Sequence, residues 1–152
     1  MASDLYIIVI GCGRLGSYLA NQLSSAGNAV VVVDWNERAF SNLSPEFSGF
    51  RIEGDAVESA VLRQAKLDKA DLVLATTRKD NVNLMVAQVA KVVFSVPRVL
   101  ARVFNPKREE IYRRLGVETI CPTTVAAEVF LRATAPPSAG VSAGVSPAEA
   151  LR

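Results

Sequence analysis

Leu5-Tyr6-Ile7-Ile8-Val9-Ile10-Gly11-Cys12-Gly13-Arg14-Leu15-Gly16 is the stretch whose reading decides the fold. The run over 5–10 is continuously apolar, which suits a strand covered on both faces rather than a half-exposed one. A G-x-G-x-x-G pattern follows, and over 14–26 the apolar positions recur at three and four residues, the period of a helix packed on one face. Strand, glycine turn and helix in that order are the context in which the pattern reads as a phosphate-binding loop. Gly11 permits the tight turn, Gly13 lets backbone approach a phosphate, and Gly16 lets helix pack closely on strand. The helix N-terminus offers unpaired N–H groups and a partial positive charge to an anion.

The next apolar run, 29–34, ends on Asp34, 18 residues after Gly16. A carboxylate there accepts hydrogen bonds from ribose hydroxyls and repels a 2′-phosphate, so NAD, ATP, ADP or AMP is expected over NADP. Residues 5–34 therefore read as the nucleotide-binding half of a Rossmann-type domain. Arg14 is either a phosphate ligand or an exposed first-turn arginine. Trp35 either lines an adenosine pocket or simply packs at the strand end, the plainer reading.

Outward from this core, β-branched runs at 50–54, 72–75, 98–103 and 117–120 join 5–10 and 29–34 to make six strand candidates. Helical stretches fall between them at 14–26, 37–43, 58–65, 80–93 and 106–115. This alternation predicts βαβ units, a doubly wound parallel sheet and, with right-handed crossovers, the strand order 3-2-1-4-5-6. Gly27 and Gly116 fall where helix ends favour a left-handed residue, and Pro106 where a helix tolerates a missing N–H. A further apolar helix over 123–133 carries Val125, Val129 and Phe130 on one face. It packs on its own sheet or docks on a neighbouring subunit. The expected domain is 1–134. From 135 to 152 the composition turns to Pro, Ala, Gly, Ser and Val, the signature of a flexible tail or linker.

Ligands of such sheets lie at the carboxyl ends of the strands. Asp55 and Ala56, in Gly54-Asp55-Ala56, are candidates for the adenine amino group, with a helix N-cap as the other role for Asp55. Thr76 and Thr77 follow the fourth strand, ahead of Arg78, Asp80, Asn81 and Asn83, with Asp80 a cap or a contact. Arg102, a charge in an otherwise apolar strand, requires a partner: a ligand phosphate, a subunit contact, or the carboxylate of Glu118.

Composition removes several function classes. The 152 residues suit one domain; half are hydrophobic and 21% charged, which places the chain among globular proteins. A formal charge of +2 without clustered Lys and Arg gives no nucleic-acid footprint. Apolar runs fall far short of the roughly 20 residues of a spanning helix. With no signal-peptide pattern at the N-terminus, a cytoplasmic location is expected. Cys12 and Cys121 read as buried, reduced thiols. The sequence has no histidine, which excludes a His general base, a Ser-His-Asp triad and His-containing metal sites. No carboxylate pair stands out either, so an enzyme is not expected.

The stretches 8–16, Val33-Asp34, Gly54-Asp55-Ala56, Asp80-Asn81-Val82-Asn83, Ala101-Arg102-Val103 and Leu115-Gly116-Val117-Glu118, ahead of Pro122 and Ala126-Ala127-Glu128, form a set. Over about 5–133 it resembles the regulator-of-potassium-conductance domain of Trk and Ktr potassium-uptake regulators. The resemblance implies a regulatory subunit that binds ATP, ADP or NAD(H) and assembles as dimers within a ring below a membrane potassium channel or transporter. It implies phosphates on Gly11, Cys12, Gly13, Arg14, Leu15 and Gly16, ribose on Asp34 and adenine on Asp55 and Ala56. Thr76, Thr77 and Arg102 match positions near the phosphates. It also implies that the last helix crosses to a partner subunit. Thr123 stands where some members carry an acid for a divalent cation, which argues against a metal site. Only the tail follows where many members have a second domain. From the glycine pattern alone, the cofactor domain of an NAD-dependent oxidoreductase is the alternative.

Overall fold

A computed structural model describes residues 4–137. Six parallel strands lie in the order β3-β2-β1-β4-β5-β6, with β1 at Tyr6–Ile10, β2 at Ala29–Asp34, β3 at Phe50–Glu53, β4 at Leu72–Ala75, β5 at Arg98–Arg102 and β6 at Glu118–Ile120. The expected order is found; β2 and β4 fill their apolar runs, and each of the other strands starts or stops just inside its own. The α-helices are α1 (Arg14–Ser25), α2 (Ser59–Gln64), α3 (Asp80–Gln88), α4 (Pro106–Arg114) and α5 (Pro122–Thr134). The tail expected over 135–152 lies, from 138 onward, outside the described residues.

Alternate residues of the central strands feed two cores. Ile7, Val9, Val30, Val32 and Leu74 meet Ala20 of α1 and Phe40 on one face. Ile8, Ile10, Val31, Val33, Val73 and Ala75 meet Leu62 of α2 and Val86, Ala87 and Ala90 on the other. Burial on both faces explains why these strands read as continuous apolar runs. Ile7, Ile8, Val9 and Val32 are wholly buried, each worth roughly 1.5–3 kcal/mol of burial.

Two helix expectations are corrected. Residues 37–43 form a 3-10 turn, Glu37–Asn42, rather than an α-helix; Asn36 caps it by accepting from the Arg38 N–H at 3.1 Å. The helix expected over 80–93 widens into a π-turn at Val89–Val93, where the Phe94 N–H reaches back to the Val89 carbonyl. Apolar periodicity does not register a one-residue change in hydrogen-bond span. Gly27 and Gly116 do take positive φ, 90° and 75°, past α1 and α4.

The tightest constraint is at the first crossover. Gly11 has φ +99°, and a Cβ on Gly16 would stand 1.8 Å from the Gly11 carbonyl oxygen, whereas one on Gly13 would meet nothing within 4 Å. Gly16→Ala is expected to destabilise the domain by about 3 kcal/mol or more through overpacking against backbone, and Gly13→Ala by less than about 1 kcal/mol. Urea denaturation of the two variants measures the contrast; equal losses would contradict it.

Candidate functional site

The carboxyl ends of β1, β2 and β4 surround the glycine turn. The Gly11 N–H donates to the Val33 carbonyl at 2.8 Å, and Gly13 serves as N-cap of α1 with no side chain capping the helix. The first turn of α1 holds no acid, and a Cβ on Gly13 would meet nothing within 4 Å, a combination that leaves a helix N-terminus open to an anion. Arg14 is exposed at this mouth, Leu15 is half-buried, and Cys12 is wholly buried behind it.

Asp34 staples the turn. Its Oδ2 accepts from the Cys12 N–H at 2.8 Å and its Oδ1 from the Asn36 N–H at 2.8 Å. The carboxylate is half-buried, and each oxygen retains a further lone pair for a ligand hydroxyl. From the other side the Asn42 amide donates to the Cys12 carbonyl at 3.1 Å. Burial, and next the Asp34 carboxylate, push the Cys12 thiol up to about 11. It stays protonated near neutrality, which makes Cys12 a packing residue and not a reactive thiolate.

Trp35 is 76% exposed, so the plainer reading, that it packs at the strand end, is overturned. A turn residue just past the edge of the β2 ladder has no layer above it. Asp55 is exposed and Ala56 buried beside the end of β3. Asp55 does not cap α2, whose N-cap is Glu58; its Oδ1 instead accepts from the Val57 N–H at 3.0 Å in an Asx turn.

Thr76 and Thr77 form the floor of the glycine turn. The Thr76 hydroxyl donates to the Ile10 carbonyl at 3.0 Å, with the Gly11 carbonyl at 3.2 Å. Arg102 does not pair with Glu118. Its Nη2 donates to the Thr76 and Thr77 carbonyls at 2.5 and 2.9 Å, and its guanidinium lies 4.4 Å from the centre of the Phe104 ring. Its Nε is buried without a partner. Glu118 meets Arg98 instead, at 3.7 Å and in solvent. Two strand periods separate Arg98 from Arg102, and only the latter lies at the carboxyl end. Burial first, and then the neighbouring Arg78, lower the Arg102 pKa.

Two residues reach further into the site than their sequence reading shows. Asp80, buried, accepts from the Phe104 N–H at 2.8 Å and faces Arg108 at 3.8 Å, so it binds the β5–α4 loop. Asn83 is wholly buried and bonds to Thr77 and Arg102. Both sit three residues apart on α3, a spacing that places them on one helical face.

A parallel sheet wound in this order, with a glycine turn opening α1 and an acid closing β2, defines a Rossmann-type domain of the nucleotide-binding kind. Residues 7–123 match the family model of the TrkA-N domain, and the chain belongs to that family. It is similar to the Trk system potassium uptake protein TrkA of Streptomyces coelicolor, with 36% identity over 135 residues, 89% of this chain and 60% of that protein. A TrkA homolog of Methanothermobacter thermautotrophicus is 32% identical over 124 residues, 81% of this chain and 57% of that one. The chain thus spans about 60% of the length of these relatives. GsuK is structurally similar at 25% identity: bound to ADP, it superposes with a TM-score of 0.71 over 85% of this chain and 33% of GsuK. Bound to NAD, the score is 0.70 over 86% and 23%. Among the described residues no helix is long and apolar enough to cross a membrane.

The shifted thiol carries a pH signature. The native state holds the Cys12 proton between its ordinary value near 9 and about 11, while the unfolded chain releases it. The unfolded state then binds fewer protons, so stability falls as pH rises through that window, by about 2–3 kcal/mol. Urea midpoints at pH 8, 9.5 and 11 should show this slope reduced in Cys12→Ala; an unchanged slope would assign it to Tyr6 and Tyr112, whose hydroxyls burial also shifts upward.

Proposed function

We propose that this chain is the nucleotide-sensing domain of a potassium-uptake regulator. An adenine nucleotide, ATP, ADP, AMP or NAD(H), lies over the strand ends, and its exchange alters an oligomer that gates a membrane potassium transporter or channel subunit. The observation that carries the reading is the Asp34 carboxylate, 2.8 Å from the Cys12 N–H. It joins a ribose acceptor to the rim of an anion-binding turn, so one ligand bearing both groups fits both. The ADP- and NAD-bound forms of GsuK support this ligand class.

In this reading the N–H groups of Gly13, Leu15 and Gly16 and the Arg14 guanidinium hold the phosphates, while Gly11 and Cys12, whose N–H groups are taken by Val33 and Asp34, shape the turn around them. Asp34 takes the ribose hydroxyls and disfavours the 2′-phosphate of NADP. The exposed face of Trp35, with Asp55 and Ala56, receives the adenine. Thr76 and Thr77 shape the phosphate floor. Arg102, with Nη2 committed to their carbonyls, adds positive charge from behind it. The role proposed is binding rather than catalysis; with no histidine in the sequence, a His general base at least is excluded.

The domain, 1–134, works as a homodimer or a ring on the cytoplasmic side of the membrane, with 135–152 as its tail or linker. Val125, Val129, Phe130 and Leu131 on α5 are all more than half exposed, and no residue of that helix is buried. The helix therefore does not pack on its own sheet, and a second copy is the occupant proposed for its apolar face.

Thermal shifts with ATP, ADP, AMP, NAD, NADH and NADP test the ligand. A ligand at 100 times its Kd adds about 2.7 kcal/mol, and NADP should give the smallest shift. Asp34→Ala should abolish the response. No shift with any nucleotide sinks the reading, and consumption of NADH with a substrate would favour an oxidoreductase. In sedimentation, Phe130→Asp is expected to convert a dimer or larger species to monomer; a monomeric wild type would remove the assembly.

A further inference from the structure

Asn83 has a place in the site that none of the ligand roles above explains. Its side chain is wholly buried, and all four of its hydrogen-bonding positions are filled. Oδ1 accepts from the Thr77 N–H at 2.9 Å and from the Thr77 hydroxyl at 2.7 Å. Nδ2 donates to the Thr77 carbonyl at 2.9 Å and to the Arg102 carbonyl at 2.9 Å. One side chain thus holds every polar group of Thr77, and rotation of the peptides on either side of that residue breaks at least one of these bonds.

Thr77 is the residue against which the glycine turn rests. A Cβ built on Gly11 would lie 3.0 Å from Thr77 N and 3.1 Å from the Thr76 carbonyl carbon. The turn at φ +99° therefore has backbone packed directly behind it. Arg102 closes the circuit by returning two hydrogen bonds to the Thr76 and Thr77 carbonyls.

We propose that Asn83 is a positioning residue for the phosphate-binding turn. It fixes the Thr76–Thr77 backbone so that the Gly11–Gly16 N–H groups hold one geometry before any ligand arrives. An apolar side chain there would orphan the Thr77 N–H and weaken the hold on two carbonyls, and buried groups left without partners are driven to find new ones. The loop would then rearrange to recover them. The claim about the turn stands on geometry alone; its consequence for affinity rests on the nucleotide-sensing reading.

The test compares the full chain with Asn83→Asp and Thr77→Val. The first keeps size and the acceptor Oδ1 but removes both donors; the second removes the hydroxyl that donates to Asn83 Oδ1 and accepts from the Lys79 N–H at 3.2 Å, and is mild enough to fold. Amide hydrogen exchange on the ligand-free proteins should accelerate at least about tenfold at residues 11–16 and 76–78, with the interiors of β1 and β2 within about twofold of wild type. Calorimetry should show ADP binding weakened at least about tenfold by Asn83→Asp. Uniform acceleration across the sheet would mark Asn83 as a general stabiliser, and unchanged exchange at 11–16 would remove the positioning role. Unchanged ADP affinity with a loosened turn would overturn the ligand half of the proposal. A wild type that binds no ADP would defeat the sensing reading instead, leaving the exchange result to decide Asn83.

Discussion

The contact of Gly16 on the Gly11 carbonyl governs what else this fold can do. With a Cβ position only 1.8 Å from that oxygen, α1 lies nearer to the end of β1 than any helix bearing a side chain there could. The approach aims the helix N-terminus along the strand direction, so its free N–H groups open at the sheet's carboxyl edge. Everything polar that the sequence brings to that edge is then brought to the same mouth.

Asp34 shows how a carboxylate at a strand end is kept from drifting. A carboxylate free at a strand end samples several rotamers, and ordering it on ligand arrival costs affinity. Here two backbone N–H groups, those of Cys12 and Asn36, hold both oxygens at 2.8 Å. The same bonds fasten the turn to β2, so the acid has a structural role of its own. The Cys12 thiol, shielded by this arrangement and held at about 11, adds packing without chemistry.

Much of this was legible in sequence because it rests on local rules. Continuous apolar runs announced a sheet covered on both faces, and glycine spacing placed the turn. Asp34 stood where the ladder ends. What escaped the sequence depends on distance in space. Arg102 and Glu118 are paired strands' polar residues and looked like partners, yet β5 and β6 align Arg102 with Ile120 and leave Glu118 level with Leu100. Arg98, at the opposite end of β5, reaches the acid. Trp35 looked like packing because tryptophan usually is, but no layer covers the turn beyond β2. Asn83 looked like one polar residue in a polar loop, and only the fold shows that its amide faces Thr77 and Arg102. Four hydrogen bonds to two separate segments leave no periodic trace.

The two asparagines that flank the turn complete the physical picture. Asn42 follows Phe40 in the 3-10 turn, which belongs to the core on one face of the sheet. Asn83 belongs to α3, whose Val86 and Ala87 pack on the opposite face. One grips the Cys12 carbonyl directly; the other grips Thr77, against which Gly11 rests. Between them the sheet cannot yield, because a one-residue slip of a parallel strand would turn its whole apolar set to the wrong face. Strain introduced at the turn must therefore leave through the loops. The glycine turn is thus the segment where both helical layers hold neighbouring backbone.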